Sequence, residues 1–249
     1  MKTDKIFESN NPMLKEKNYR GALDAEMVGQ RTVPMTVNGA VNKTLALFGI
    51  MLITAVFSYM YPNQILIYGG VIGGAIISFI ASRNLEKSAI FAPLFAAFEG
   101  LFVGGITAIY AARTEGILFH AVTLTMAILL VMLLLYKTGT IKVTERFRSI
   151  IMTATGAIML VYLVSFVLGM LGITVPFLHQ SSPIGIGISL FIVCIASLKL
   201  LVDFDNFDIG AAAKMPNYME WYFGMGLFFT LIWLYVEILW LLSNFLGND

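Results

Sequence analysis

Charged residues are scarce in this chain of 249 residues, because Asp, Glu, Lys and Arg together make up only 12% of it. A soluble domain carries about 25% of these residues, so too few are present here to cover a water-facing surface. Hydrophobic residues reach 58%, and the mean hydropathy is +0.83. The composition excludes a disordered chain and a collagen-like fibre and argues against an ordinary cytosolic enzyme. It predicts one membrane domain in contact with the lipid bilayer.

Cysteine is almost absent, and the net charge is close to zero. The single Cys194 can form no disulfide within the chain, which excludes a disulfide-stapled secreted domain. Because Cys194 lies in an apolar run, we expect it to be a buried packing residue. The net charge of +1 provides no overall field that would favour nucleic acid or an acidic substrate.

Seven apolar stretches follow a polar segment at 1–42, which lacks the short apolar core of a signal peptide. Each stretch has about the 20 residues that cross the hydrocarbon core of a bilayer. In lipid the backbone must satisfy its own hydrogen bonds, and these runs are too long for barrel strands. We therefore predict an all-α integral membrane protein, with a polar tail at 1–42 and a seven-helix transmembrane domain at 43–249. The expected spans lie at about 43–61, 64–82, 88–112, 116–136, 150–172, 183–204 and 218–246.

Basic residues predict the orientation of these spans. Fifteen of the 16 Lys and Arg residues fall in segments that would share one face, and only Arg113 falls in a loop on the other. Such an excess marks the cytoplasmic side. The N-terminus is therefore expected in the cytoplasm, and an odd number of spans places the C-terminus outside.

Glycines on the second and third spans predict close helix packing. Gly69 with Gly73, Gly70 with Gly74, and Gly100 with Gly104 are each four residues apart. Small residues at this spacing let helix backbones approach closely in lipid. We favour packing within one chain over homodimerisation.

Ionisable residues inside apolar spans are costly, so each of them is a candidate functional group. Glu99 lies near the middle of the third span, where it must face the protein interior, find a partner or stay protonated. The alternatives, a functional acid and a structural hydrogen bond, remain equally open. The others are His120, Lys199, Asp203, Asp205, Asp208, Glu220 and Glu237.

Three acids cluster where the sixth span is expected to end. Asp205 and Asp208 share one helix face, whereas Asp203 points away from them and can pair with Lys199 at i, i+4. We expect Asp208 to be solvated. For Asp203 and Asp205, a solvated interface and a titratable cation site both remain open, since hard cations select carboxylate oxygens.

No catalytic constellation accompanies these acids. His120 and His179 lack metal-ligand spacing, and no nucleophile elbow, zinc-protease motif, P-loop or C-x-x-C occurs. We therefore expect no enzymatic activity. Glu237 is expected near the outer interface and Asp205 near the inner one, so a direct contact between them is not expected.

Three segments resemble the Bax inhibitor family of seven-helix transmembrane Bax-inhibitor-motif proteins. They are 98–104 (Phe-Glu-Gly-Leu-Phe-Val-Gly), the acid Asp205 before a short polar link, and 218–222 (Tyr-Met-Glu-Trp-Tyr) before an aromatic last helix. The hydropathy resemblance covers about 43–246. Residues 35–39 (Met-Thr-Val-Asn-Gly) in the long N-terminal tail are similar to a bacterial subgroup.

The resemblance implies a pH-sensitive cation leak, chiefly for Ca²⁺, closed by two aspartates on helices six and seven. It implies a location in a bacterial cytoplasmic membrane. It implies no cofactor other than transiently bound Ca²⁺. Asp205 matches the helix-six acid, with Asp203 as the other register. For helix seven, similarity of the sequence to the family's pattern favours Glu237. The expected depth in the membrane instead favours Thr230, which carries no charge. An alternative function is a non-conducting modulator that binds a membrane protease or stress-response partner through its tail.

Overall fold

The computed structural model of the chain describes residues 33–172 and 182–246. This part is all-α and contains no β-strand, which confirms the predicted fold class. Seven of its helices are long and apolar enough to cross a membrane, so the chain is a multi-pass membrane protein. His179 and most of the tail at 1–42 lie outside the described residues. The helices are α1 (Val37–Met60), α2 (Gln64–Arg83), α3 (Ser88–Ala111), α4 (Ile117–Lys137), α5 (Glu145–Met170), α6 (Pro183–Ala212) and α7 (Tyr218–Leu246).

Helix α1 begins at Val37, six residues before the first expected span. Thr36 is its N-cap, and the Thr36 side chain accepts a hydrogen bond from Gly39 N at 2.9 Å. Thr is among the residues that cap helix N-termini in this way. The tail therefore contributes its last residues to a helix, although they are more polar than the rest of the span.

Helix α6 continues to Ala212, eight residues beyond the expected end of the sixth span. It ends where Lys214 adopts a positive φ of 52° and Met215 N donates to Gly210 O at 3.1 Å. This is the hydrogen bond of a Schellman motif, which satisfies carbonyls left open at a helix end. The expectation that the acids stand at the end of α6 was wrong, because charge raises the cost of burial but does not end a helix.

The chain divides into two compact units. In its described part, the first unit comprises residues 33–109 and 203–232, and the second comprises 110–172, 182–202 and 233–246. The first therefore holds α1, α2, nearly all of α3, the last third of α6 and the first half of α7. The second holds α4, α5 and the remaining parts of α6 and α7.

Glycines let the helices of the first unit touch backbone to backbone, as their spacing predicted. A Cβ added to Gly70 on α2 would lie 2.7 Å from Phe98 O and Phe102 N on α3. A Cβ added to Gly104 on α3 would overlap Ala55 O on α1. Packing within the chain therefore accounts for Gly70 and Gly104, whereas a Cβ added to Gly69 would meet nothing within 4 Å.

In the second unit, the buried side chains lie mainly on α6 and α7, whereas α4 and α5 are largely exposed. The predicted burial of Cys194 was wrong, since its side chain is exposed on α6. Ile192, Val193, Ile195 and Ala196 supply the buried face around it. An apolar run in a membrane helix includes lipid-facing positions, so hydropathy does not identify the buried face.

Candidate functional site

Asp203 on α6 and Thr230 on α7 form the most buried acid contact in the first unit that links two spans. Thr230 Oγ1 donates to Asp203 Oδ2 at 2.6 Å, and each residue is 2% exposed. A hydrogen bond to a carboxylate is shorter and stronger than one between neutral groups. The bond joins Thr230, one of the two candidates on helix seven, to Asp203, the alternative to Asp205 as the helix-six acid.

The Thr230 hydroxyl has a second acceptor within reach. Its Oγ1 lies 3.1 Å from Gly226 O, one turn earlier on α7. A hydroxyl carries a single proton, so it can donate fully to only one of the two oxygens at a time. The bond to Asp203 joins two helices, whereas the bond to Gly226 stays within α7.

Glu99 is the second buried acid of the first unit, at 7% exposed on α3. Its Oε1 lies against Gly74 of α2, where an added Cβ would be 2.6 Å away. Among the residues that the structure describes, Glu99 has neither a hydrogen bond nor an ion pair. The structural hydrogen bond, one of the two alternatives for Glu99, is therefore not found among these residues.

An aromatic cluster joins α1, α3 and α7 in the first unit. The ring centroids of Phe48 on α1 and Phe228 on α7 are 5.1 Å apart, and those of Phe95 on α3 and Phe228 are 6.1 Å apart. Phe95 is one turn before Glu99, and Phe228 is two residues before Thr230. These edge-to-face contacts fill the space between three helices of the first unit with apolar rings.

The other charged residues of α6 differ in exposure. Asp205 is half-buried and Asp208 is exposed, the latter in line with the solvated position expected for it. Lys199, in the part of α6 that belongs to the second unit, is buried at 7% exposed.

Glu220 has a structural role at the start of α1 and α7. Its Oε1 accepts hydrogen bonds from Thr36 N at 2.9 Å and from Thr36 Oγ1 at 3.2 Å. A carboxylate at a helix N-terminus is stabilised by the free N–H groups there. Glu220 stands in the first turn of α7 and caps α1, so one side chain serves two helix ends.

The backbone around these residues forms what we call the N-terminal clasp, the contact between residues 33–36 and 215–220. Met35 N donates to Met215 O at 2.7 Å, and Asn217 N donates to Val33 O at 2.9 Å. The Met35 side chain is 2% exposed and packs against Gly210. The clasp holds the start of α1 to the link between α6 and α7.

Glu237 lies in the second unit and has its own partners. Its Oε1 accepts from the hydroxyl of Tyr162 on α5, and its Oε2 accepts from Ser189 Oγ on α6 at 3.3 Å. Glu237 is 2% exposed and Ser189 is 3% exposed. The structure thus places Glu237 in a different cluster from the Asp203–Thr230 pair.

Residues 33–172 and 182–246 contain no cluster of three or more His, Cys, Asp and Glu side chains that could hold a metal ion. His120 is exposed, and its Nδ1 lies 2.9 Å from Gly116 O at the start of α4. This is a local helix-end contact, as expected of an interfacial histidine.

Several polar residues of these clusters were missed in the sequence. Thr36, Tyr162 and Ser189 are neutral, so the search for costly charges in apolar spans did not single them out. Arg148 stands before the fifth expected span at 150–172, yet it lies in the first turn of α5 and is 2% exposed. The indication of its burial was its position three residues before the apolar Ile151, which is also buried.

Comparison with known proteins yields one match that covers nearly the whole chain. The model of the family described as Bax inhibitor 1 like matches residues 5–247. No curated protein and no solved structure matches the chain. The seven spans, the Glu-Gly segment on α3 and the family match agree, and the chain belongs to the Bax inhibitor 1-like family.

Proposed function

We propose that this protein is a pH-sensitive cation leak, chiefly for Ca²⁺, in a bacterial cytoplasmic membrane. The observation that carries the proposal is the buried Asp203–Thr230 hydrogen bond between α6 and α7. Membership of the Bax inhibitor 1-like family supports it. Asp203 and Glu99 are the acids that meet the ion in this proposal, and Asp205 lies near the entrance as a half-buried carboxylate.

The Thr230 hydroxyl supplies a switch. While Asp203 is ionised, the hydroxyl donates to it and holds α6 and α7 together. A proton or a cation on Asp203 competes for the same oxygen, so the hydroxyl turns to Gly226 O. The hydrogen bond between Thr230 and Asp203 is then weakened, and acid is expected to favour the open population.

The aromatic cluster of Phe48, Phe95 and Phe228 closes the path in the resting state. Apolar constrictions block ions because water does not wet them. Phe95 lies one turn before Glu99 on α3, and Phe228 lies two residues before Thr230 on α7. Loss of the Asp203–Thr230 bond frees α7 to move these rings.

Ca²⁺ flux from liposomes that contain the purified protein tests this function. Asp203→Asn, which removes the carboxylate, is expected to change the flux and flatten its pH dependence. The matched control is Asp208→Asn, because Asp208 is exposed on the same helix. Equal flux and equal pH profiles in wild type and a folded Asp203→Asn variant would contradict the proposal.

The clasp favours a second candidate function, a non-conducting modulator that binds a membrane protease or stress-response partner. It fixes the point at which the polar tail joins the helices, as a docking element requires. Deleting residues 1–32 separates the two functions, because the cut leaves the clasp intact. If the protein is a leak, Ca²⁺ flux persists after the deletion. If it is a modulator, the deletion abolishes binding of its partner.

A further inference from the structure

Met35 fills a gap between α6 and α7 in the first unit. Its side chain is 2% exposed. A Cβ added to Gly210 on α6 would lie 2.7 Å from Met35 Sδ and 2.7 Å from Cε2 of Phe223 on α7. The two side chains therefore meet over Gly210, where the missing Cβ leaves room for both. Methionine suits such a gap because its side chain is unbranched and flexible.

This gap is in line with the Asp203–Thr230 hydrogen bond. Gly210 is seven residues after Asp203 on α6, and Phe223 is seven residues before Thr230 on α7. Seven residues make about two helix turns and roughly 10 Å of rise, so each pair shares one helix face. The contact at Gly210 and the bond at Asp203 therefore lie on one seam, the line of contact between α6 and α7.

Residues 33–36 are held over the gap by few contacts. Pro34 pairs with Pro216 in an antiparallel bridge, flanked by the two backbone hydrogen bonds of the clasp. The flanked position requires no N–H donor, which suits two prolines. Met35 is the only buried side chain of the segment, since its three neighbours there are exposed. Such a short contact can open while the helices stay folded.

We propose that Met35 closes the end of the α6–α7 seam nearest the clasp, and that release of residues 33–36 opens this end to water. Because the seam also contains the Asp203–Thr230 bond, the clasp holds the ion path closed, a consequence that rests on the leak proposed above. Closure of the seam is a matter of packing and does not depend on conduction.

Hydrogen–deuterium exchange of the purified protein in lipid nanodiscs tests the closure. Met35→Ala empties the gap, so backbone amides around Gly210 and Phe223 are expected to exchange several-fold faster than in wild type. Met35→Leu keeps an apolar side chain of similar volume and is expected to exchange like wild type. Val33→Ala is the matched control, since Val33 lies in the same segment and is 66% exposed. Unchanged exchange in a folded Met35→Ala variant, or equal acceleration in Val33→Ala, would overturn the proposal.

A reversible cross-link provides a second test, which retains Met35. Opposite residues in a non-hydrogen-bonded antiparallel pair have Cα atoms about 4.5 Å apart, within the range that a disulfide bridges. Pro34→Cys combined with Pro216→Cys, in a Cys194→Ser background, is therefore expected to form a disulfide on treatment with diamide. The oxidised form is expected to exchange more slowly around Gly210 than the form reduced with dithiothreitol. A folded protein that forms no disulfide, or that exchanges equally in both forms, would overturn the proposal.

Ca²⁺ flux from liposomes tests whether the closed seam belongs to the ion path. Flux is expected to be several-fold higher in Met35→Ala than in wild type, and lower in the oxidised double-cysteine protein than in its reduced form. A conducting protein whose flux is equal in both forms would remove the clasp from control of the path. A wild type without flux would contradict the leak, and the exchange measurements would still decide whether Met35 closes the seam.

Discussion

At the scale of single residues, the account depends on the hydroxyl of Thr230. Thr230→Val keeps the shape of the side chain but removes the donor to Asp203, whereas Thr230→Ser keeps the donor. A hydrogen bond to a charged group contributes about 1.5–3 kcal/mol, and 1.4 kcal/mol is a factor of about 10 in an equilibrium. We expect Thr230→Val to raise Ca²⁺ leak from liposomes about tenfold at neutral pH.

Thr230→Ser is expected to behave much like wild type in the same liposomes. A leak that rises equally in both variants would show that the presence of the hydroxyl alone does not close the path, and it would contradict the role given to the hydrogen bond.

Gly74 controls the position of the Glu99 carboxyl group. A Cβ at this position would lie 2.6 Å from Glu99 Oε1, whereas a Cβ at Gly69 on the same helix meets nothing within 4 Å. The atom in the way is the end of a flexible side chain, so Gly74→Ala displaces the carboxyl group and leaves the helices in place. We expect Gly74→Ala to change Ca²⁺ flux several-fold and Gly69→Ala to leave it unchanged.

Circular dichroism shows whether both glycine variants keep their helices. Wild-type flux in a folded Gly74→Ala variant would remove Glu99 from the proposed ion path.

At the scale of helices, the N-terminal clasp is expected to stabilise the fold. A Cβ at Gly39 on α1 would overlap the Glu220 carboxylate, which caps that helix, whereas Gly49 on the same helix has open space. Loss of the capping bonds costs about 1–3 kcal/mol. We expect Gly39→Ala to lower the thermal unfolding temperature in detergent and Gly49→Ala to leave it nearly unchanged.

Combining Gly39→Ala with Glu220→Ala provides the check on that assignment. Both changes break the same contact, so the double variant is expected to lose little more stability than either single one. Full additivity would mean that Gly39 and Glu220 act at separate places.

The helices themselves were predictable, and several of their ends were not. Seven apolar runs predict seven helices because lipid permits no unpaired backbone. The ends of α1 and α6 depend on capping geometry at Thr36 and Lys214, which hydropathy does not register. The buried acids were also predictable, since a charged residue within an apolar run is easy to recognise in the sequence.

The partners of those acids could not be named. Thr230 was named only through its expected depth and the family pattern, and Tyr162 and Ser189 were not named. A hydroxyl in a membrane helix can bond to its own backbone at little cost, as Thr44 does to Ala40 O at 2.9 Å. Only the structure shows which hydroxyls donate to another helix.

At the scale of the whole molecule, the few buried acidic residues have three different roles. Glu220 joins helix ends, Asp203 and Glu99 lie in the first unit as candidate ion ligands, and Glu237 lies in the second unit among donors. The basic residues predict an N-terminus in the cytoplasm, which would place the clasp on the inner face.

The measurement that tests the central claim most directly is Ca²⁺ flux through the purified wild-type protein in liposomes at a series of pH values. Protein-free liposomes and liposomes that contain the Asp203→Asn variant are the controls. The account predicts a flux above that of protein-free liposomes, with a pH dependence that the variant lacks, because Asp203 exchanges its bond with Thr230 for a proton or a cation. A folded wild-type protein that passes no more Ca²⁺ than protein-free liposomes at any pH would contradict it.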